Sequence, residues 1–288
     1  MTTERSHSPL RRLYLFWLRF RQNRPAVGGL LFIIFAILVA FFAPVLARTD
    51  PFQFDFTSIL VGPVQGHPFG TDQYGRDVYS RTIWGTRASL MVGFSAAAVA
   101  GLVGVTLGSV AGYKGGRTES LVMRAVDVML TLPTFFLILI ITLFFGASIL
   151  NVVLFIGLTA WPSIARLMRA EFLSFKEREF VIAARAVGMA DLRIIFSEIL
   201  PNAIFPAVVN ITLLISGAII IEASLSFLGV SDPNVVSWGL MLQESMSTFR
   251  SGLWTTLFPG AAITSTVVAF NLVGDGLNDA LNPILKER

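Results

Sequence analysis

The 288-residue chain contains no cysteine and only two histidines, His7 and His67. Without cysteine it forms neither disulfide bonds nor thiolate metal sites, and two histidines far apart in sequence argue against a histidine metal centre. Charged residues are also scarce, at 14% against about 25% in soluble domains. We therefore expect no redox role, no catalytic or cofactor-binding residues and no metal site.

Apolar residues are abundant instead, at 54% of the chain, and the mean hydropathy is +0.72. This composition predicts an integral membrane protein, and we expect an all-α, polytopic fold with six transmembrane helices. Each span needs roughly 20 apolar residues. The six predicted spans are residues 26–47, 89–110, 122–145, 150–165, 203–225 and 254–273.

The distribution of Lys and Arg between these runs predicts the orientation. Segments on the same side as the N-terminus carry seventeen of these residues, and segments on the other side carry five. Because cytoplasmic loops are enriched in Lys and Arg, we expect both termini to be cytoplasmic. A cleaved signal peptide is the alternative for the first run, but 22 residues exceed the usual apolar core of about 7–15.

Small residues in the second run recur every four positions, which predicts a face for close helix packing. Four prolines are expected to kink or end helices. The small residues are Gly93, Ala97, Gly101, Gly104, Gly108 and Gly112, and the prolines are Pro133, Pro162, Pro206 and Pro259.

A charged, amphipathic segment, residues 166–202, separates the fourth and fifth runs. Residues 177–187 predict a short helix with Phe180, Val181, Ala184 and Val187 on one face. Gly188 suits the position after a helix end. Asp191 suits the N-cap of a second helix, whose apolar residues Leu192, Ile195, Phe196, Ile199 and Leu200 follow a helical period. Such a segment either lies at the membrane interface or docks a cytoplasmic partner.

The pattern Ala183, Ala184, Gly188, Leu200 and Pro201 resembles the EAA loop of permease subunits in bacterial and archaeal ABC importers. In that family the loop contains the coupling helix, which sits in a cleft of the cytoplasmic ATPase subunit. Ile182 departs from the usual Glu and Glu198 from the frequent Ile, so Glu179 would supply the acidic contact. The resemblance implies an ATPase-coupling set: Glu179, Ala183, Ala184, Arg185, Gly188, Asp191, Leu200 and Pro201.

Further stretches narrow the resemblance to the second, C-type permease subunit of dipeptide, oligopeptide and nickel importers. They are residues 67–90, Asp127 with Pro133 in DVMLTLP, 225–229 (LSFLG) and 268–283. The resemblance covers nearly the whole chain, and it implies a location in the bacterial or archaeal cytoplasmic (inner) membrane.

The domain organisation implied by this resemblance has three parts. Residues 1–86 form a cytoplasmic tail, the first span and an extracytoplasmic loop; residues 87–280 form the type I ABC transmembrane permease domain; residues 281–288 form a cytoplasmic tail. The implied partners are a homologous second permease, two P-loop ATPase subunits, an extracytoplasmic solute-binding protein and the lipid bilayer, with no nucleic acid.

The sequence contains no G-x-x-x-x-G-K-[ST] loop for binding ATP. Together with this absence, the resemblance implies a permease that is not an enzyme, with ATP hydrolysis performed by partner subunits. Peptides are the expected solute, and nickel, glutathione or oligosaccharides are the alternatives within the family. A secondary transporter or channel, and a membrane enzyme, are the alternatives outside it.

Two acidic residues, Asp127 and Glu222, fall within predicted spans, where charge is costly. We expect structural roles for both, paired with Arg124 or with helix ends. The loop at 66–87 is either solvated and salt-bridged or acts as a gate or platform for the binding protein; its candidate residues are Gly70, Asp72, Gly75, Arg76 and Asp77. Trp238 and Trp254 are expected at the outer membrane interface.

Overall fold

The computed structural model describes residues 16–281, a range that is largely helical and contains no β-strand. Its principal helices are α1 (Arg24–Phe41), α2 (Val78–Lys114), α3 (Gly116–Thr131), α4 (Thr134–Phe145), α5 (Ile149–Phe175), α6 (Glu179–Ala186), α7 (Phe205–Phe227), α8 (Trp238–Ser245) and α9 (Trp254–Leu281). Shorter helical pieces are Ala43–Leu46, Asp191–Arg193, Leu200–Ala203, a π-helix at Ile194–Ile199 and a 3₁₀ turn at Met246–Thr248.

Five of these helices, α1, α2, α5, α7 and α9, are long and apolar enough to cross a membrane. The third predicted span, residues 122–145, is broken at Pro133, one of the prolines expected to kink or end helices, and α3 and α4 meet there at 87°. Leu132, the residue before the proline, is extended, as the proline ring requires. A sixth crossing therefore exists only if the bent pair counts as one span, since α4 alone is about 18 Å long.

Helix α2 lies at the centre of the bundle, and its glycines allow two neighbours to approach. A Cβ atom at Gly104 or Gly112 would meet the side chain and backbone of α5, and one at Gly93 or Gly101 would meet Ile215, Ile219 or Ile211 of α7. The prediction that these small residues permit close helix packing is confirmed. They lie on two sides of α2, one facing α5 and the other facing α7.

Helix α1 packs on α9 of the same chain. A Cβ at Gly29 would lie 2.7 Å from the Ala269 carbonyl oxygen. The side chain of Asn23 accepts a hydrogen bond from the N–H of Ala26 at the start of α1, and its Nδ2 donates to Asp279 at 2.9 Å. The first predicted span therefore belongs to the main bundle.

The length of α2 separates two functional regions. Its 37 residues span about 55 Å, well beyond a hydrocarbon core of about 30 Å. The loop at 48–77 packs at its N-terminal end, where Ser80 accepts hydrogen bonds from Arg48 and Thr49. Tyr113, at its C-terminal end, contacts the 166–202 segment.

Candidate functional site

The first half of the 166–202 segment folds as the sequence predicts. After α5 ends at Phe175, the short helix α6 covers Glu179–Ala186 and its C-cap is Val187. Gly188 follows with φ +76°, a left-handed conformation in which a side chain is strained. The short helix and its glycine corner are confirmed.

Asp191 does not cap the next helix. The N-cap is Ala190, and Asp191 is the first helical residue. Its Oδ1 atom accepts a hydrogen bond from the Tyr113 hydroxyl at 2.9 Å, and the Arg185 guanidinium lies 5.0 Å from the centre of the Tyr113 ring. Asp191 and Arg185 thus both contact Tyr113 at the end of α2. The Asp191 side chain bonds to this other helix instead of capping its own.

The second helix of the segment is not regular. Residues Asp191–Arg193 lead into the π-helix Ile194–Ile199, and only then does Leu200–Ala203 return to α-helix. The wider π turn changes which side chains face inward. Ile194, Ile195 and Ile199 are fully buried, whereas Leu192 and Phe196, predicted on the same face, are 63% and 43% exposed.

The segment leaves large apolar side chains on its surface. In α6, Val181 and Ala184 are buried as predicted, but Val187 is 79% exposed and Phe180 is also exposed. Glu179, Ala183, Arg185 and Gly188 of the predicted coupling set lie on the same exposed part of the chain, with Pro201 further along, while Leu200 is half-buried. Exposed apolar side chains rimmed by charges mark an interaction surface.

Two ion pairs join α3 to α5 near this segment. Arg166 Nη2 donates to Asp127 Oδ1 at 2.7 Å, and Arg169 Nε donates to Glu119 Oε1 at 2.6 Å. The expectation that Asp127 pairs with Arg124 is wrong. The Asp127 and Arg166 side chains are 65% and 55% exposed in this chain.

At the other end of α2, four charged side chains form a buried charge cluster: Asp72, Arg76, Arg81 and Glu244. Arg76 Nε donates to Asp72 at 2.7 Å, and the terminal nitrogens of Arg76 and Arg81 donate to Glu244 Oε2 at 2.8 and 2.6 Å. The Arg81 side chain is 2% exposed. The solvated loop considered for residues 66–87 is therefore wrong, although it is salt-bridged.

Asp77 anchors the same loop to α2. As the N-cap of α2, it accepts hydrogen bonds from the backbone N–H and the hydroxyl of Ser80 at 2.8 and 2.7 Å. It also lies 3.0 Å from Nδ1 of His67. Because Asp77 is itself buried, these contacts hold the loop at 66–77 against the helix.

Gly70 and Gly75 permit close approaches in this loop, and both have positive φ values, +74° and +73°. A Cβ on Gly70 would collide with the indole of Trp254, which donates to the Thr71 carbonyl at 2.9 Å. A Cβ on Gly75 would collide with the Asp55 carbonyl group. The side chain of Asp55 accepts hydrogen bonds from the Thr57 hydroxyl and N–H, which lowers the pKa of Asp55.

Sequence reasoning missed Glu244 and misplaced Trp238. Glu244 lies 168 residues from Arg76, and no local pattern connects the two. Trp238, expected at the membrane interface, is 1% exposed, and its Nε1 donates to the Thr82 carbonyl at 3.0 Å. The sequence offered one signal for Glu244: Arg76, Arg81 and Arg87 lie close together, and buried arginines need an acidic partner.

Glu222 is 6% exposed within α7. Its Oε1 accepts a hydrogen bond from the Ser226 hydroxyl at 2.8 Å, one turn along the same helix. Within residues 16–281, Oε2 has no hydrogen-bond partner. Of the two alternatives expected, pairing with Arg124 or with a helix end, the contact with Ser226 near the end of α7 rules out the first.

Comparison with known families shows what kind of protein carries the 166–202 segment and the buried charge cluster. Residues 104–287 match the family described as the binding-protein-dependent transport system inner membrane component. The chain belongs to this family. It is thus a multi-pass inner-membrane permease with the type I ABC importer transmembrane fold, and residues 12–63 of the permease match the N-terminal TM domain of oligopeptide transport permease C.

Individual relatives resemble the permease over nearly its full length. The dipeptide transport system permease protein DppC of Alkalihalophilus pseudofirmus is 41% identical, covering 93% of this chain and 88% of the relative. The protein of the same name from Haemophilus influenzae is 38% identical, covering 99% of both chains. The glutathione transport system permease protein GsiD of Pectobacterium atrosepticum is 39% identical over 94% of this chain and 91% of the relative.

Proposed function

We propose that this permease is a membrane-spanning subunit of an ATP-driven importer of di- and oligopeptides, with the translocation path formed between it and a homologous permease. The observation that carries this proposal is the exposed apolar surface of the 166–202 segment. The segment's sequence resembles the EAA loop, and it is the kind of surface that a cytoplasmic ATPase subunit would cover.

The packing behind that surface supports a coupling role. Val181, Ile194 and Ile195 share one buried apolar cluster with Met168 and Phe172 of α5. Asp191 and Arg185 contact Tyr113 of α2. A displacement of α6 by a partner would therefore act on α2 and α5, since close-packed interiors transmit strain.

ATP energy would enter through this contact, because the sequence has no P-loop. Two ATPase subunits that close on ATP would move the coupling segments and open the path alternately to each side. Shifting a two-state gate from 1:99 to 99:1 needs about 5.5 kcal/mol of differential binding. The permease itself would then have no ATPase activity.

Peptides are proposed as the solute on the basis of the relatives, several of which are named dipeptide permeases. A glutathione permease is almost as similar, so glutathione is the main alternative. An extracytoplasmic solute-binding protein would deliver the solute, as the family description implies.

Both termini are proposed to be cytoplasmic, which places the 166–202 segment in the cytoplasm and the buried charge cluster outside. The excess of Lys and Arg on the N-terminal side supports this orientation. In Ser6→Cys, a membrane-impermeant maleimide should label the introduced thiol only after the cells are opened. Labelling in intact cells would overturn the orientation.

The decisive experiment combines purification with transport. The permease, tagged in its native host, should co-purify in mild detergent with a second permease and P-loop ATPases. Proteoliposomes of this complex, given the binding protein and internal ATP, should accumulate dipeptide. Repeated recovery of the chain alone from several detergents would favour a self-sufficient channel or secondary transporter, and uptake of another solute with no peptide uptake would refute the peptide assignment.

A further inference from the structure

A pocket of about 340 Å³ lies beside the N-terminal part of α2. Its walls come from the chain just after α1, from α2 and from the stretch before α8. Its volume falls at the lower end of the range of about 300–1,000 Å³ found for small-molecule sites. The residues that matter here are Asp50, Phe52, Trp84, Arg87, Asn234 and Val236.

The pocket holds one side chain of each charge, Asp50 and Arg87. Within residues 16–281, neither of them forms an ion pair. Asp50 Oδ1 accepts the N–H of Phe52 at 2.8 Å, which orients the carboxylate and leaves Oδ2 for a ligand. The Arg87 guanidinium lies 5.6 Å from the centre of the Trp84 ring, which holds it in place.

The stretch that carries Asp50 is held in place before any ligand arrives. The backbone N–H groups of Arg48 and Thr49 donate to the Ser80 hydroxyl at 3.0 and 3.2 Å. Arg81 Nη1 donates to the Pro51 carbonyl at 3.3 Å. Because Arg81 belongs to the buried charge cluster, the cluster fixes one side of the pocket, and little ordering remains to be lost on binding.

The other groups suit a peptide. Phe52 and Val236 offer apolar contact for side chains, and Asn234 offers an amide that both donates and accepts, as a peptide bond requires. A single inorganic ion would satisfy only one of the two charges.

We propose that this pocket binds a short peptide by its free termini, with Arg87 contacting the α-carboxylate and Asp50 the α-ammonium group. The arginine fork matches a carboxylate in two parallel hydrogen bonds. This inference rests on the proposed peptide import, and it adds a solute contact within the permease itself. The pocket would then select peptides with unblocked ends.

The test measures direct binding, apart from transport. The assembled importer, in nanodiscs and without its binding protein, is titrated with radiolabelled alanyl-phenylalanine and with N-acetyl-alanyl-phenylalanine amide. We expect binding of the free dipeptide only, with the Kd raised about tenfold or more in Arg87→Gln and in Asp50→Asn. Arg250→Gln, which changes an exposed arginine outside the pocket, is the control and should bind as the wild type does.

Equal binding by all variants, equal binding of the capped peptide, or no binding to the wild type would overturn the inference. ATP-driven uptake is measured separately with the binding protein present. Normal peptide uptake combined with a failed binding test would leave the proposed function intact and remove only the pocket. Basal ATPase activity of each variant complex shows that a loss of binding is not a loss of assembly.

Discussion

The two ends of α2 treat their ion pairs in opposite ways. At the N-terminal end, the buried charge cluster pairs Arg76 and Arg81 with Asp72 and Glu244 of the same chain. At the C-terminal end, the ion pair of Asp127 with Arg166 is exposed, and the 166–202 segment leaves Val187 and other apolar side chains open. One end buries its ion pairs within the chain, whereas the other leaves an ion pair and apolar side chains exposed.

Buried and exposed ion pairs also differ in how much they contribute to the stability of the fold. Removing one partner of a buried ion pair is costly, because the other charge stays buried with neither a partner nor water around it. Exposed pairs contribute little to folding stability. Substitutions at the charge cluster should therefore affect folding of the permease. Substitutions in the 166–202 segment should affect assembly or coupling and leave folding nearly unchanged.

The largest effect is expected for Glu244→Ala, which leaves two buried guanidinium groups without their shared acceptor. Loss of a buried partner costs about 3–5 kcal/mol, so the variant should yield little folded permease and a clearly lower melting temperature. Asp127→Ala is the matched control, because it breaks an exposed pair worth about 0–1 kcal/mol. Equal melting temperatures for the two variants would contradict the contrast between the ends.

Val187→Asp places a charge on the exposed apolar surface. Val187 is 79% exposed, so the melting temperature of the permease should hardly change. If an ATPase subunit covers this residue, the lost burial is worth about 1.5–3 kcal/mol and co-purification of the ATPase should fall. Unchanged ATPase recovery in a quantitative pull-down would remove Val187 from the docking surface.

Gly188→Val tests the glycine corner. At φ +76° a valine costs about 1–2 kcal/mol of strain and shifts the corner between α6 and the π-helix. ATP-driven uptake should fall strongly while the complex still assembles and hydrolyses ATP.

Gly116→Val is the control for this strain. Gly116 also has a positive φ, +55°, and has no atom near the position of an added Cβ, but it lies outside the 166–202 segment. Uptake by this variant should stay close to wild type. Wild-type uptake in Gly188→Val as well would refute the coupling assignment.

The smallest effect is expected for Tyr113→Phe, which removes the hydroxyl that donates to Asp191. One hydrogen bond contributes about 0.5–1.5 kcal/mol, so a small drop in melting temperature and weaker coupling of ATP hydrolysis to uptake should appear. Tyr79→Phe is the control, since the Tyr79 hydroxyl has no hydrogen-bond partner in the part of the chain that the structure describes. Identical behaviour of the two variants would mean that the Tyr113 contact transmits nothing.

Local patterns in the sequence predicted much of this arrangement. The apolar runs, the helix at Glu179–Ala186 and the left-handed Gly188 follow from composition, helical period and backbone sterics, all of which act within a few residues. Membership of the permease family was also legible from the residues of the 166–202 segment. Pro133 marked a break in the third span, although its 87° angle depends on how α3 and α4 pack against the rest of the bundle.

The tertiary structure alone decided which distant groups meet. Glu244 lies more than 160 residues from both Arg76 and Arg81, and Asp127 pairs with Arg166 of another helix, 39 residues away, instead of nearby Arg124. The π-helix at Ile194–Ile199 likewise reorients Phe196 against the period of the sequence. Periodicity specifies which face of a helix is apolar, but only the packed bundle determines which charges lose water and must find each other.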